Sequence, residues 1–171
     1  MRLKSLLITM KIYRIEISDK KEIRSLIDIS ELLIFFDMVL VVSNTSKFMI
    51  KDLKKFLKEE ELEKLDAYKS EVAKINFAVS RSLLNKAFEM ILDIPIENVV
   101  VLRDKYNKPY IKNKSGVKFN ISHTDGFVVI GFSKKELGID IEKVNDGFAF
   151  EDILENCFTS REIKNIGSNT S

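Results

Sequence analysis

"FNISHTDGFVVIGFSKKELGIDIE", residues 119–142, holds the chain's only histidine, His123. Two carboxylates, Asp140 and Glu142, stand seventeen and nineteen residues beyond it. Turn-forming residues divide the stretch: Asp125 and Gly126 once, then the Lys134–Lys135–Glu136 run. Between them "VKFNIS", "FVVIGFS" and "LGIDIE" each read as a strand, which predicts an antiparallel hairpin followed by a third strand. Alternate residues of a strand share a face. Asp140 and Glu142 therefore project together, while Leu137, Ile139 and Ile141 face a core.

Working outward, "KIYRIEIS" (residues 11–18) alternates like a strand, and Met10 is a candidate natural start. Residues 19–34 predict one helix, capped by Ser18 or Asp19, with Ile23, Leu26 and Ile27 on one side. Residues 38–42 predict a second strand, "SNTS" (43–46) a polar break, and the lysine-rich 47–60 a helix. Across 61–92, Leu62, Leu65, Tyr68, Val72, Ile75, Val79, Leu83 and Phe88 recur every three to four residues without Gly or Pro, predicting one long helix. Pro95 ends it. "VVVL" (99–102) reads as a strand, 103–111 as a turn into a short strand, and 113–116 as a further turn. A helical stretch over 149–166 follows, with Thr159 or Ser160 able to cap a second helix, and then a polar tail.

Composition narrows the classes. Apolar residues make up 45% of 171, which predicts a real core rather than disorder. A net charge of +2, with Lys interleaved among Glu and Asp, lacks the basic stripe of a nucleic-acid binder. One cysteine, Cys157, excludes an internal disulfide and multi-cysteine zinc sites, and fits a reducing cytoplasm. Its apolar neighbours Ile153, Leu154 and Phe158 suit a buried thiol better than a nucleophile. The densest apolar run, 32–42, has eleven residues and contains Asp37. It is too short to span a bilayer, so no membrane span is expected. It is a candidate buried element or self-association surface, with the oligomeric state left open.

Spacing leaves the chemistry with two readings. Side-by-side carboxylates repel unless a cation relieves them. A hard ion such as Mg²⁺ uses one or two carboxylates and completes its shell with water and substrate phosphate. The alternative is a solvated strand face, with Lys143 as a partner. His123 either hydrogen-bonds a phosphate or closes a turn with Asp125 and Gly126. "NKPY" (107–110) offers a lysine before a rigid proline, which alone is only a turn.

Taken together, "NKPYI", "FNISHT" and "GIDIE", in this order, resemble the 4′-phosphopantetheinyl transferases. The nearer resemblance is to the large pseudo-dimeric type that activates peptide and polyketide synthases. "MKIYRIEIS", the helix around "SRSLL" (80–84) and "FTSREI" (158–163) add to it, so that it covers most of 10–166. It implies an α+β fold in which antiparallel sheets each pack on a long helix. Residues 10–115 would form an N-terminal half. Residues 116–171 would form an incomplete second pseudo-symmetric half carrying the metal-binding strand. The implied activity moves phosphopantetheine from coenzyme A to a serine of an acyl or peptidyl carrier protein, as a holo-acyl-carrier-protein synthase does, with Mg²⁺ as cofactor. Asp140 and Glu142 would be catalytic metal ligands. Ser122 and His123 would contact coenzyme A phosphates, Lys108 and Pro109 would border its adenine–ribose end, and Lys64 would meet a phosphate.

The sequence also departs from the family pattern. Members continue into a Trp-x-x-Lys-Glu helix that supplies a third carboxylate, while this chain has no tryptophan and stops at Ser171. "FTSREIKNI" matches the preceding helix better than that motif. Positions that are often basic hold Glu61, Asp66, Ala67 and Asn76, the glycine before Lys-Pro is Asn107, and 32–57 looks like an added stretch. The resulting expectation is a truncated enzyme with weakened activity, against the alternatives of an inactive relic and a non-catalytic module that binds coenzyme A or carrier protein.

Overall fold

The computed structural model describes residues 10–112, 114–143 and 159–160. Strand β1 (Ile12–Ile17) opens the fold, and its odd-numbered residues Tyr13, Ile15 and Ile17 turn toward the core. Where one helix was expected over 19–34, the chain makes two. The first, α1 (Lys20–Arg24), is held by a capping box between Asp19 and Glu22. Then Asp28 caps a second start, accepting from the Ser30 amide, and α2 (Ile29–Phe35) begins. Leu26 is buried at the break, while Ile27 stays half exposed.

Strand β2 (Met38–Asn44) runs parallel to β1, pairing Ile12 with Met38 through Ile17 with Ser43. The sheet is therefore mixed rather than purely antiparallel. The α1–α2 connection returns the chain to the starting end of β1, which only a crossover of this length allows. The stretch 32–57, which looked like an addition, thus supplies an inner strand of the sheet. Within it Leu33, Val39 and Val41 are buried, whereas Ile34 and Phe35 are exposed.

The expected helix over 47–60 reduces to α3 (Ile50–Leu53) and a 3₁₀ turn (Lys54–Phe56). The single helix expected over 61–92 is also two: α4 (Glu59–Ala67) and α5 (Glu71–Leu92). Tyr68 takes an extended conformation, and the Ser70 hydroxyl accepts from the Ala73 amide to begin the second helix. After α5, Asp93 adopts the left-handed cap conformation and Pro95 follows. Strands β3 (Val101–Arg103) and β4 (Pro109–Ile111) form a two-stranded sheet. Strands β5 (Lys118–Thr124) and β6 (Phe127–Ser133) form the expected hairpin, closed at Asp125 and Gly126. The four-stranded order is β1-β2-β6-β5.

One face of that sheet packs on α5. Phe88, fully buried, meets Phe119 and Phe132 with ring centroids 5.6 and 6.0 Å apart. Val39, Val41, Val128 and Ile130 complete the layer. Side chains of this kind each contribute about 1.5–3 kcal/mol when fully buried. A polar clamp fixes α4 on α5: the buried Glu61 accepts from Arg81 Nε at 2.5 Å and from Asn85 Nδ2 at 2.6 Å. No helix among the described residues is long and apolar enough to cross a membrane. The helix expected over 149–166, Cys157 and most of "FTSREI" lie outside the described residues.

Candidate functional site

The site is organised by β5, the terminal strand of the four-stranded sheet. Alternation sends Phe119, Ile121 and His123 to the α5 side, and Asn120 and Ser122 to the opposite side. His123 is exposed and lines a hollow of about 550 Å³ with Ser70 and Asn76 of α5, Asp125 and Lys143. Asn76 fixes that helix end: its amide donates to the Thr124 carbonyl at 3.1 Å and its oxygen accepts from the Thr45 hydroxyl at 3.0 Å.

On the other side lies the acidic segment. The strand expected over "LGIDIE" does not form. Residues 136–143 alternate in exposure, with Leu137 buried, Ile139 and Ile141 half-buried, and Gly138, Asp140 and Glu142 exposed. They nevertheless have no backbone ladder among the described residues. Side chains of β5 stand in for one: Asn120 Oδ1 accepts from the Ile139 amide at 3.0 Å, and Ser122 Oγ accepts from the Ile141 amide at 3.2 Å. The Ser122 hydroxyl also donates to Asp140 Oδ1 at 2.8 Å.

Gly131 on β6, paired with Asn120, lets the segment approach. A Cβ there would come within 3.0 Å of Leu137 Cδ1 and 3.1 Å of Ile139 Cγ2. Lys108 adds a fourth tie by donating to the Leu137 carbonyl at 3.0 Å.

Lys108 and Pro109 line a second hollow, of about 310 Å³, with Tyr110, Lys118, Phe119 and Glu136. Its volume lies at the lower end for small-molecule sites. The Lys118 ammonium, hydrogen-bonded to Glu136, holds that carboxyl below the usual range. The turn that presents Lys108 is set by Asp104, whose Oδ1 accepts from the Tyr106 and Lys108 amides. Asn107 sits there at φ 66°, in the left-handed region that Gly and Asn tolerate best. That conformation accounts for asparagine where the resemblance implied glycine.

The structure ties Ser122 to Asp140 and Lys108 to the Leu137 carbonyl of the same segment, sets Pro109 beside Lys108, leaves Glu142 exposed, and puts His123 in a separate hollow. It does not bring Lys64 there: that residue stands exposed on α4 and lines neither hollow. Glu61 serves the α4–α5 clamp. Asn120 and Gly131 carry no role in the sequence motifs, and Lys143 enters there only as a partner for the acids. Asn120 lay inside the quoted "FNIS" motif, and its place one residue inside a half-covered strand was the available signal.

Among the described residues no three of His, Cys, Asp or Glu gather around one point. Two exposed carboxylates on one side of a segment still suit a hard cation that keeps several waters and shares substrate oxygens. Asp140 Oδ1 is engaged by Ser122 and by the Ile141 amide at 3.0 Å. Exposed carboxylates are donors of the chemical kind that Mg²⁺ takes.

Comparison with known proteins gives a consistent result. The family model described as "4′-phosphopantetheinyl transferase, N-terminal" matches residues 44–135. The chain is similar to "4′-phosphopantetheinyl transferase gsp" of Aneurinibacillus migulanus, at 35% identity over 81 residues, 47% of this chain and 30% of that protein. It is also similar to the "4′-phosphopantetheinyl transferase" of Bacillus subtilis, at 37% identity over 62 residues, 36% of this chain and 27% of the relative. The matched stretches therefore span 30% and 27% of these relatives.

Proposed function

The chain belongs to the 4′-phosphopantetheinyl transferase family, and from that premise we propose that it acts in moving phosphopantetheine from coenzyme A to a serine of an acyl or peptidyl carrier protein. The observation that carries the reading is the Ser122–Asp140 hydrogen bond, because it fixes the acidic segment on the strand that also bears His123. In the reaction the serine oxygen forms a bond to the phosphorus next to pantetheine. The bond from that phosphorus to the bridging oxygen breaks, 3′,5′-ADP leaves, and the serine proton passes to a base.

Asp140 and Glu142 would hold Mg²⁺, which would supply neutralisation of the charge that develops on the phosphate oxygens. His123 offers an imidazole to a phosphate oxygen in the hollow beside α5. Lys108 and Pro109 border the nucleoside end, where Pro109 and Tyr110 supply rigid surface. A reducing cytoplasm suits the chain's substrates.

The test is covalent labelling. The full chain is incubated with Mg²⁺, a fluorescent coenzyme A and a panel of apo carrier proteins. Label should appear on a carrier serine and disappear when that serine is changed to alanine. Absence of label while a full-length relative labels the same panel would overturn the proposal.

A further inference from the structure

The hydroxyl of Ser122 has one proton to donate and lone pairs to accept with. The structure commits both functions. The proton goes to Asp140 Oδ1 at 2.8 Å, and a lone pair receives the Ile141 amide at 3.2 Å. The residue two positions earlier, Asn120, faces the same way and accepts from the Ile139 amide. Across the hairpin, Gly131 leaves the space into which Leu137 and Ile139 descend. Three residues of the hairpin thus form a seat of defined shape beneath the acidic segment.

We propose that Ser122 and Asn120 are positioning residues, which fix the acidic segment and the orientation of the Asp140 carboxylate. The proposal rests on the reading of Asp140 and Glu142 as cation ligands. Ser122 engages Oδ1, so the carboxylate cannot rotate freely and presents Oδ2 in one direction. Asn120 sets the height of the backbone one residue before it. The arrangement is that of an outer-shell partner, whose removal typically weakens metal affinity about 10–100-fold.

Two measurements on the full chain decide it: Mn²⁺ titration followed by electron paramagnetic resonance, and amide hydrogen exchange resolved by residue. Ser122→Ala should weaken Mn²⁺ binding about tenfold and speed exchange of the Ile141 amide, while β5–β6 ladder amides keep their protection. Ser122→Thr, which retains the hydroxyl, should restore both. Asn120→Ala should speed exchange at Ile139 and weaken Mn²⁺ less. If Asp140→Ala abolishes Mn²⁺ binding but Ser122→Ala leaves it unchanged, the positioning role is wrong. If the wild type takes up no Mn²⁺, the cation reading itself fails. Unchanged exchange at Ile141 in Ser122→Ala independently removes the seat.

Discussion

On one face of the four-stranded sheet, α5 lays Phe88 between Phe119 and Phe132, with Val39, Val41, Val128 and Ile130 around them. On the other, residues 137–141 cover Gly131 with Leu137 and Ile139 and are tied by Lys108, Asn120 and Ser122. The first face is held by area and close packing, which are non-directional. The second is held by hydrogen bonds, which fix angle and register but contribute little net stability each, about 0.5–1.5 kcal/mol. The difference assigns stability to the helix face and placement of the acids to the segment face.

That division can be broken most severely at the helix face. Phe88→Ala should cost about 3–5 kcal/mol of unfolding free energy, read from the urea midpoint; a cost equal to that of a segment-face change would refute the contrast. A polar contact within the helical layer tests whether direction matters there too. Arg81→Met strands the Glu61 carboxylate, whose side chain is 2% exposed, and should cost about 3 kcal/mol. Pairing it with Glu61→Leu should recover most of that loss.

Gly131→Ala acts on the segment face alone. It should cost about 1 kcal/mol, because Leu137 yields more easily than the branched Ile139. Its clearer signature is faster exchange at Ile139 with the α5 amides unchanged.

The smallest effect is electrostatic. The folded Glu136 carboxyl lies below its ordinary value of 4.5 because of Lys118. Its contribution is present above the unfolded pKa and fades as pH falls through the lower folded one. Glu136→Gln should therefore lower stability slightly at neutral pH and not in strong acid. High salt should shrink the neutral-pH difference, since the pair is exposed.

Much of the fold was legible because burial and periodicity coincide. β1, β2, α5 and the β5–β6 hairpin all follow from apolar spacing, and Asp19 and Pro95 mark ends by chemistry local to themselves. The two helices that are broken in the middle, over 19–34 and 61–92, have a common cause. Apolar spacing runs in phase across both breaks, through Leu26 and Ile27 in one and Tyr68 and Val72 in the other. Spacing reports which side a residue faces, not whether the backbone between is helical, and Asp28 and Ser70 decide that by capping.

The acidic segment shows the same limit for strands. Alternation from Leu137 to Glu142 correctly sorted inner from outer residues, yet it carries no information about the hydrogen-bond partner. Here the acceptors are the side chains of Asn120 and Ser122 rather than a neighbouring backbone. The motif resemblance drew attention to Ser122, His123, Asp140 and Glu142. It could not show that the serine is already occupied by the aspartate, because that bond joins residues eighteen apart through the fold.

Ser122 and His123 are neighbours in sequence, but they lie on opposite sides of a strand at the border of its sheet. A ligand addressed by both the histidine hollow and the acidic segment must reach around that border. Lys143, one residue past Glu142, lines the histidine hollow, so the same short segment touches both sides of the strand.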